Sequence, residues 1–290
     1  VGNSALTYPV GLITADEVAF AGGKVDTQNS KYYLYTGKAY WTMSPSFYFY
    51  QSGAGAAEFR VLTNGSLESN FGGDYGVNNS YGVRPVISLK SDSLNSGSGT
   101  KTEPFKINYS KITLTRLGLT ETEGTPDFSK TSCSSGCDEA TVGIFKAEDD
   151  FGDSYYFRGD VENNYVYFAG FYWRIIRING DGTVRMIYDG TSAHSNGEIS
   201  TDRQTGTSVF NSSVNRNAYV GYMYGSTSTN STYAATHKNT NDSTIKAAVD
   251  AWYTTNIKGT TNEQYVADAI YCNDRELSSG TGRGTTATNY

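Results

Sequence analysis

Residues 172–188 constrain this chain more than any other stretch. Tyr172-Trp173-Arg174-Ile175-Ile176-Arg177-Ile178 and Thr183-Val184-Arg185-Met186-Ile187-Tyr188 are aromatic and β-branched runs of matching length. Between them stands Asn179-Gly180-Asp181-Gly182, a turn-forming quartet, so the stretch reads as an antiparallel hairpin. A second hairpin is expected where residues 58–62 meet Asn64-Gly65. Further strands are expected over 32–35, 40–43, 105–114, 154–157, 165–168 and 266–272. Residues 81–89 also read as a strand, pushed toward an edge or bulge by Pro85. Two helix signals interrupt this pattern. Thr14-Ala15-Asp16-Glu17 is a capping box ahead of Val18, Ala19 and Phe20, with Gly22-Gly23 as the stop. Near the end, Asn241 or Asp242 is expected to cap a longer helix with Ile245, Ala248, Val249 and Trp252 on one face and Gly259 after it. Residues 261–264 could add one more turn. The fold class that follows is α+β and strand-rich, with antiparallel sheets, hairpins and two or three short helices.

A core for such a fold has to be aromatic. Only 37% of the 290 residues are hydrophobic, but 24 are Tyr and 13 are Phe, residues that suit half-buried pleated surfaces. Charged residues amount to 18%, and Ser, Thr, Asn and Gly fill the rest, as in exported proteins with neutral polar surfaces. A net charge of −6, with no Lys or Arg run, argues against a nucleic-acid partner. No apolar stretch approaches a membrane span, and the start does not read as a signal peptide, so a mature or internal portion of an extracellular protein is expected.

Cys133 and Cys137 stand three residues apart in a Gly/Ser-rich loop. With no second ligand pair nearby, a local disulfide is expected rather than a metal site. Cys272 is left over, either as a buried thiol or with its partner outside the chain. Residues 91–104 read as a polar linker, which suggests a division into 1–104 and 105–290.

Tyr40-Trp41-Thr42-Met43-Ser44-Pro45-Ser46 and Tyr81-Gly82-Val83-Arg84-Pro85-Val86-Ile87-Ser88-Leu89 resemble the C-terminal half of bacterial C-type lectin-like domains of large exported surface proteins. Residues 154–190, with Phe171-Tyr172-Trp173-Arg174, resemble the N-terminal half of the same unit. The resemblance covers most of the chain and implies lectin-like units. Their order is reversed here: the closing half precedes the opening half. Residues 1–104 would then end one unit and 105–290 begin the next, with exposed edges completed by copies of the chain or by adjacent repeats. Circular permutation, closing within one chain, is the alternative. On the first reading, residues 82–89 should pair with a neighbour's 168–178.

Nothing in the text concentrates catalytic chemistry. His194 and His237 lie in polar loops and read as exposed. Glu148-Asp149-Asp150 with Asp153, and Asn179-Gly180-Asp181-Gly182, tempt a calcium reading, but a solvated acidic turn and a hairpin turn explain them. Arg158-Gly159-Asp160 is an integrin-type tripeptide that also suits a turn. The calcium-dependent sugar motifs Glu-Pro-Asn and Trp-Asn-Asp are absent. No cofactor is implied, and no enzymatic activity is expected. The stretch 41–79 is the candidate ligand face, through Tyr48, Tyr50, Arg60, Asn64, Asn70, Tyr75 and Asn78, a mix of stiff aromatic and adaptable amide contacts. For Trp41 a place in the core is expected. The sequence therefore suggests an extracellular assembly protein, a surface-layer or filament building block. The alternative is an adhesin or receptor-binding module that displays this face to a host or glycan ligand.

Overall fold

The computed structural model describes residues 5–50, 54–68, 76–91, 94–107, 114–115, 117–129 and 142–290. In chain order the first strands are β1 (Tyr40–Tyr50), β2 (Ala54–Val61), β3 (Leu67–Glu68), β4 (Ser80–Gly82), β5 (Val86–Leu89), β6 (Leu94–Ser96) and β7 (Lys106–Ile107). Then follow β8 (Gly143–Asp149), β9 (Gly152–Arg158), β10 (Tyr165–Phe168), β11 (Phe171–Ile178) and β12 (Val184–Gly190). The last are β13 (Thr207–Val209), β14 (Met223–Tyr224), β15 (Asn241–Asp242) and β16 (Thr288–Asn289). The helices are α1 (Ala15–Ala21), α2 (Tyr233–Thr236) and α3 (Thr244–Asn256). The fold is α+β and strand-rich.

The hairpin read from the sequence is β11 with β12, in register from Ile178↔Val184 to Tyr172↔Gly190 with two bulges. Its turn uses all four residues. Gly182 N donates to Asn179 O at 2.8 Å, and the Asp181 carboxylate accepts from the Thr183 amide at 2.8 Å. This hairpin is the middle of one sheet, ordered β5-β12-β11-β9-β8, with β10 also on β11. The other large sheet runs β13-β4-β1-β2-β3, with β16 also on β1. Asn64-Gly65 turns β2 into β3, and Gly65 has φ +81; a Cβ there would sit 1.8 Å from Asn29 O, so only glycine fits.

Both sheets draw strands from both sides of residues 91–104. β5 pairs with β12, Val86↔Ile187 to Leu89↔Val184, while β13 pairs with β4 and β16 with β1. Residues 86–89 therefore find their partner in β12 of their own chain rather than in a neighbour's 168–178. Closure is within the chain, and one hydrophobic core runs through both halves. Nor is the stretch 94–107 a free linker. It folds into the β6–β7 pair, and Leu94 and Phe105 are fully buried. Phe105 N donates to Tyr165 O at 2.9 Å, tying the pair to β10.

Proline divides what reads as one strand over 81–89. Pro85 lacks the N–H a continuous ladder needs. The chain leaves one sheet at Gly82 and joins the other at Val86, carrying Arg84 into the core between them at 1% exposure. Residues 32–35 are a turn, not a strand: Tyr35 N donates to Tyr32 O, and Tyr32, Tyr33 and Leu34 are all fully buried. Consecutive buried side chains need cover on both faces, which a half-wet strand lacks. At α1 the capping box forms as read, Gly22 closes the helix at φ +113, and the Arg158 guanidinium donates to Ala19 O and Phe20 O. Ser243, rather than Asn241 or Asp242, caps α3, accepting from Lys246 N at 3.2 Å. Trp252 of α3 packs on Phe171, Trp173 and Tyr188 of the central hairpin, with ring centroids 5.5–5.8 Å apart. Each such pair is worth about 0.5–1.5 kcal/mol beyond its buried area.

Candidate functional site

After Val266 bridges Leu89, the chain crosses from one large sheet to the other. Ala267 N donates to Ser88 O at the β5 end, and Ser279 bridges Asn289 of β16 at the other. Between these ends, residues 268–277 alternate outward and inward like a strand. Asp268, Ile270, Cys272, Asp274 and Glu276 are exposed, while Tyr271 and Asn273 are half-buried and Arg275 is buried. The inward side chains tie this strap down. The Tyr271 hydroxyl donates to Val86 O at 2.9 Å, and Asn273 Nδ2 donates to Met43 O at 2.6 Å. Arg275 donates to Met223 O, His237 O and Asn239 Oδ1 at 2.8–3.1 Å.

Against the strap lies a cavity of about 390 Å³, lined by Leu6, Met43, Tyr222, Met223, Asn273 and Arg275 and bordered by the strap residues Asp268, Ala269, Ile270 and Tyr271. Its size falls in the range of small-ligand pockets, and its lining is more polar than apolar. Tyr222 is 2% exposed and its hydroxyl has no hydrogen-bond partner within the protein. A buried hydroxyl without a partner costs about 1–3 kcal/mol.

Arg275 also faces a second group of buried polar side chains. Glu58, opposite Pro45 at a bulge of β1, is 2% exposed and neither carboxyl oxygen has a partner. Burial pushes this carboxyl well above its ordinary 4.5, against the pull of Arg275. His237 is 7% exposed, with neither ring nitrogen hydrogen-bonded and its ring edge-on to Tyr233 at 4.0 Å. Burial and the Arg275 charge lower it to about 3, so the imidazole is neutral at pH 7. Tyr290 completes the group, its hydroxyl donating to Asn217 Oδ1 at 3.3 Å.

His194, 5% exposed, sits in a different setting. Its Nδ1 is 2.7 Å from Glu198 Oε1 and its Nε2 2.8 Å from Asp202 Oδ1, with Ser192 Oγ 3.4 Å from the same Nε2. Serine, histidine and carboxylate stand in the order of a hydrolase triad, but Asp202 occupies the nitrogen that would have to take the serine proton. Each ring nitrogen thus faces a carboxylate. The His194 hydrogen bond is the largest cause lowering the Glu198 carboxyl. At Asp202 burial acts upward, but hydrogen bonds from Ser200 and His194 outweigh it and hold the group far below the usual range. Both histidines are thus buried, against the expectation of exposed loop residues. Their polar flanks are drawn in by carboxylates at His194 and by aromatic rings at His237.

The described candidates of the stretch 41–79 do not gather into one face. Tyr48 is 1% exposed in the middle of β1, between Ala56 and Thr288. Arg60, also 1% exposed, pairs with Glu68 across β2–β3 and lies over the Tyr81 ring at 5.0 Å. Both serve the sheet, which corrects their reading as ligand contacts. The Asn64 side chain accepts from Ser66 N at 3.0 Å inside the hairpin turn, and Asn78 is exposed. Asn70, Tyr75, Cys133, Cys137 and the Tyr50 side chain lie outside the described residues. Trp41 is fully buried, as expected, and donates from Nε1 to Ser208 O. Arg158 of the Arg-Gly-Asp tripeptide is buried against α1, and Asp160 accepts from Asn196. Cys272 is an exposed free thiol, which overturns the buried reading. Among the described residues no group of three or more acidic, His or Cys side chains could hold a metal, and no helix is long and apolar enough to cross a membrane.

Sequence reasoning passed over Glu58, Tyr222 and Arg275, each alone in unremarkable text, and read His237 as an exposed loop residue. The strand-like text over 266–272 was the one signal near the strap. Comparison with family models, curated proteins and solved structures returned no match to this chain.

Proposed function

We propose that this chain is a non-enzymatic binding module of the cell exterior, with the cavity against residues 268–277 as its ligand site. The observation that carries the reading is the pocket of about 390 Å³ beside the strap, bordered by Tyr222, Asn273 and Arg275. The lectin-like resemblance and the sparsely charged composition support the same reading. The reading as an assembly subunit loses its main motive, because β5, β13 and β16 complete the sheets within the chain. The ligand face moves accordingly from residues 41–79 to the strap.

The test is a thermal-shift screen of neutral oligosaccharides and short peptides against the wild type and Ala269→Trp, which fills the cavity from the strap. A ligand that binds only the folded state raises the midpoint by mass action. Shifts seen in the wild type and lost in Ala269→Trp are expected. No shift in either protein, or equal shifts in both, would refute the site.

A further inference from the structure

The strap has an unusual backbone. Residues 268–277 make no backbone–backbone hydrogen bond among the described residues, although both flanks are stitched into sheets. Only two side chains reach its main chain: the Tyr233 hydroxyl donates to Arg275 O, and the Asp274 carboxylate accepts from Glu276 N, both at 2.9 Å. The rest of this row of amides and carbonyls has no hydrogen-bond partner among the described residues, and an unpaired row of this kind can accept another strand. The side chains pointing outward from it include three acids, Asp268, Asp274 and Glu276, and no base.

We propose that an extended basic peptide segment of a partner adds as a strand along residues 268–276, with one of its side chains entering the cavity. This rests on the binding-module reading and names the class of ligand. The main-chain row supplies the affinity, and the acids select Lys or Arg opposite Asp268, Asp274 and Glu276. A second copy of the chain fits poorly. Antiparallel pairing about Cys272 sets Asp268 opposite Glu276 and Ile270 opposite Asp274, and parallel pairing in register sets each acid beside its twin. Like charges opposite one another destabilise a ladder.

The experiment uses the full chain and three peptides matching the strap in length: alternating Lys/Val, alternating Glu/Val, and Lys/Val with every second amide N-methylated. Binding is read by fluorescence anisotropy, by hydrogen exchange of residues 268–276, and by alkylation of the exposed Cys272. The Lys/Val peptide should bind, slow exchange at alternate strap amides and shield Cys272, and N-methylation should weaken it about tenfold or more. Asp268→Lys with Glu276→Lys should turn the preference toward Glu/Val. Equal binding of the N-methylated peptide, a preference unmoved by the charge exchange, or strap protection through self-association alone would each overturn strand addition. If no peptide protects the strap while screened ligands still shift the wild type but not Ala269→Trp, strand addition fails and the binding module stands. Peptide binding unchanged in Ala269→Trp would overturn the anchoring in the cavity.

Discussion

Asp189 and Glu58 are both carboxylates in the interior, at 0% and 2% exposure, yet their surroundings differ. Asp189 Oδ1 accepts from Arg84 Nη2 at 2.8 Å and from Arg203 Nε at 2.9 Å. The two guanidiniums fill their remaining donors with the carbonyls of Leu34, Tyr188, Tyr33 and Glu198. Arg84 also covers the Tyr40 ring at 4.9 Å. Glu58 has no such donor, and Arg275, the cation that acts on it, directs its hydrogen bonds to Met223, His237 and Asn239. A carboxylate that joins three segments holds the fold in register. One left without a donor weakens the fold and keeps an ionisable group in the interior, within reach of the Arg275 charge.

The contrast predicts opposite responses to removing each group. Asp189→Ala leaves two buried guanidiniums facing each other and should cost about 3–5 kcal/mol in urea unfolding. A loss below about 1 kcal/mol would mean that the arginines relax onto carbonyls alone.

Glu58→Met removes a buried polar group that has no partner and should raise stability by about 1–3 kcal/mol. Because the folded-state carboxyl lies above 4.5, what Glu58 contributes is fully present below that pH and is lost as the pH rises through the raised value. The gain from Glu58→Met should therefore be larger at pH 8 than at pH 4. A gain independent of pH would contradict the shift.

His237 has the opposite sign. Its value falls from 6.5 to about 3, so its contribution is present above pH 6.5 and fades as the pH drops toward 3. His237→Phe keeps the ring contact with Tyr233 and should change stability at pH 7 by less than about 1.5 kcal/mol. It should also flatten the acid limb of the stability profile; an unchanged limb would show that other groups set it.

The smallest effect is expected at the cysteines. Alkylating Cys272 in the native protein should leave the thermal midpoint nearly unchanged, since surface changes stay within about 0.5 kcal/mol. Intact mass before and after reduction should differ by the hydrogens of one Cys133–Cys137 cystine; free alkylation of both without reductant would remove that pairing.

Most of the local structure was legible from residue order. The capping box at Thr14–Glu17, the Asn64-Gly65 hairpin and the 172–188 hairpin all rest on contacts between residues close in sequence. The errors fall where a distant partner decides. Residues 32–35 carry strand-like text but are enclosed on every side. Pro85 marks the passage between two sheets, which a one-dimensional reading sees only as a bulge. Tyr48 and Arg60 read as surface residues because tyrosine and arginine often are, but a core short of aliphatics uses both types as filling.

By itself the sequence determined the strand-rich class, the turns, the helix caps and the aromatic make-up of the core, because these depend on periodicity and on local hydrogen bonds. Only the tertiary structure decided that β5, β13 and β16 close the sheets within the chain. It alone gathered Glu58, His237 and Arg275 into one buried group and left residues 268–277 unpaired beside a cavity. Strand pairing between residues about a hundred positions apart is set by which edges and volumes remain to be filled once the local pieces exist. Whether a polar side chain finds a donor there is known only when every other piece is in place.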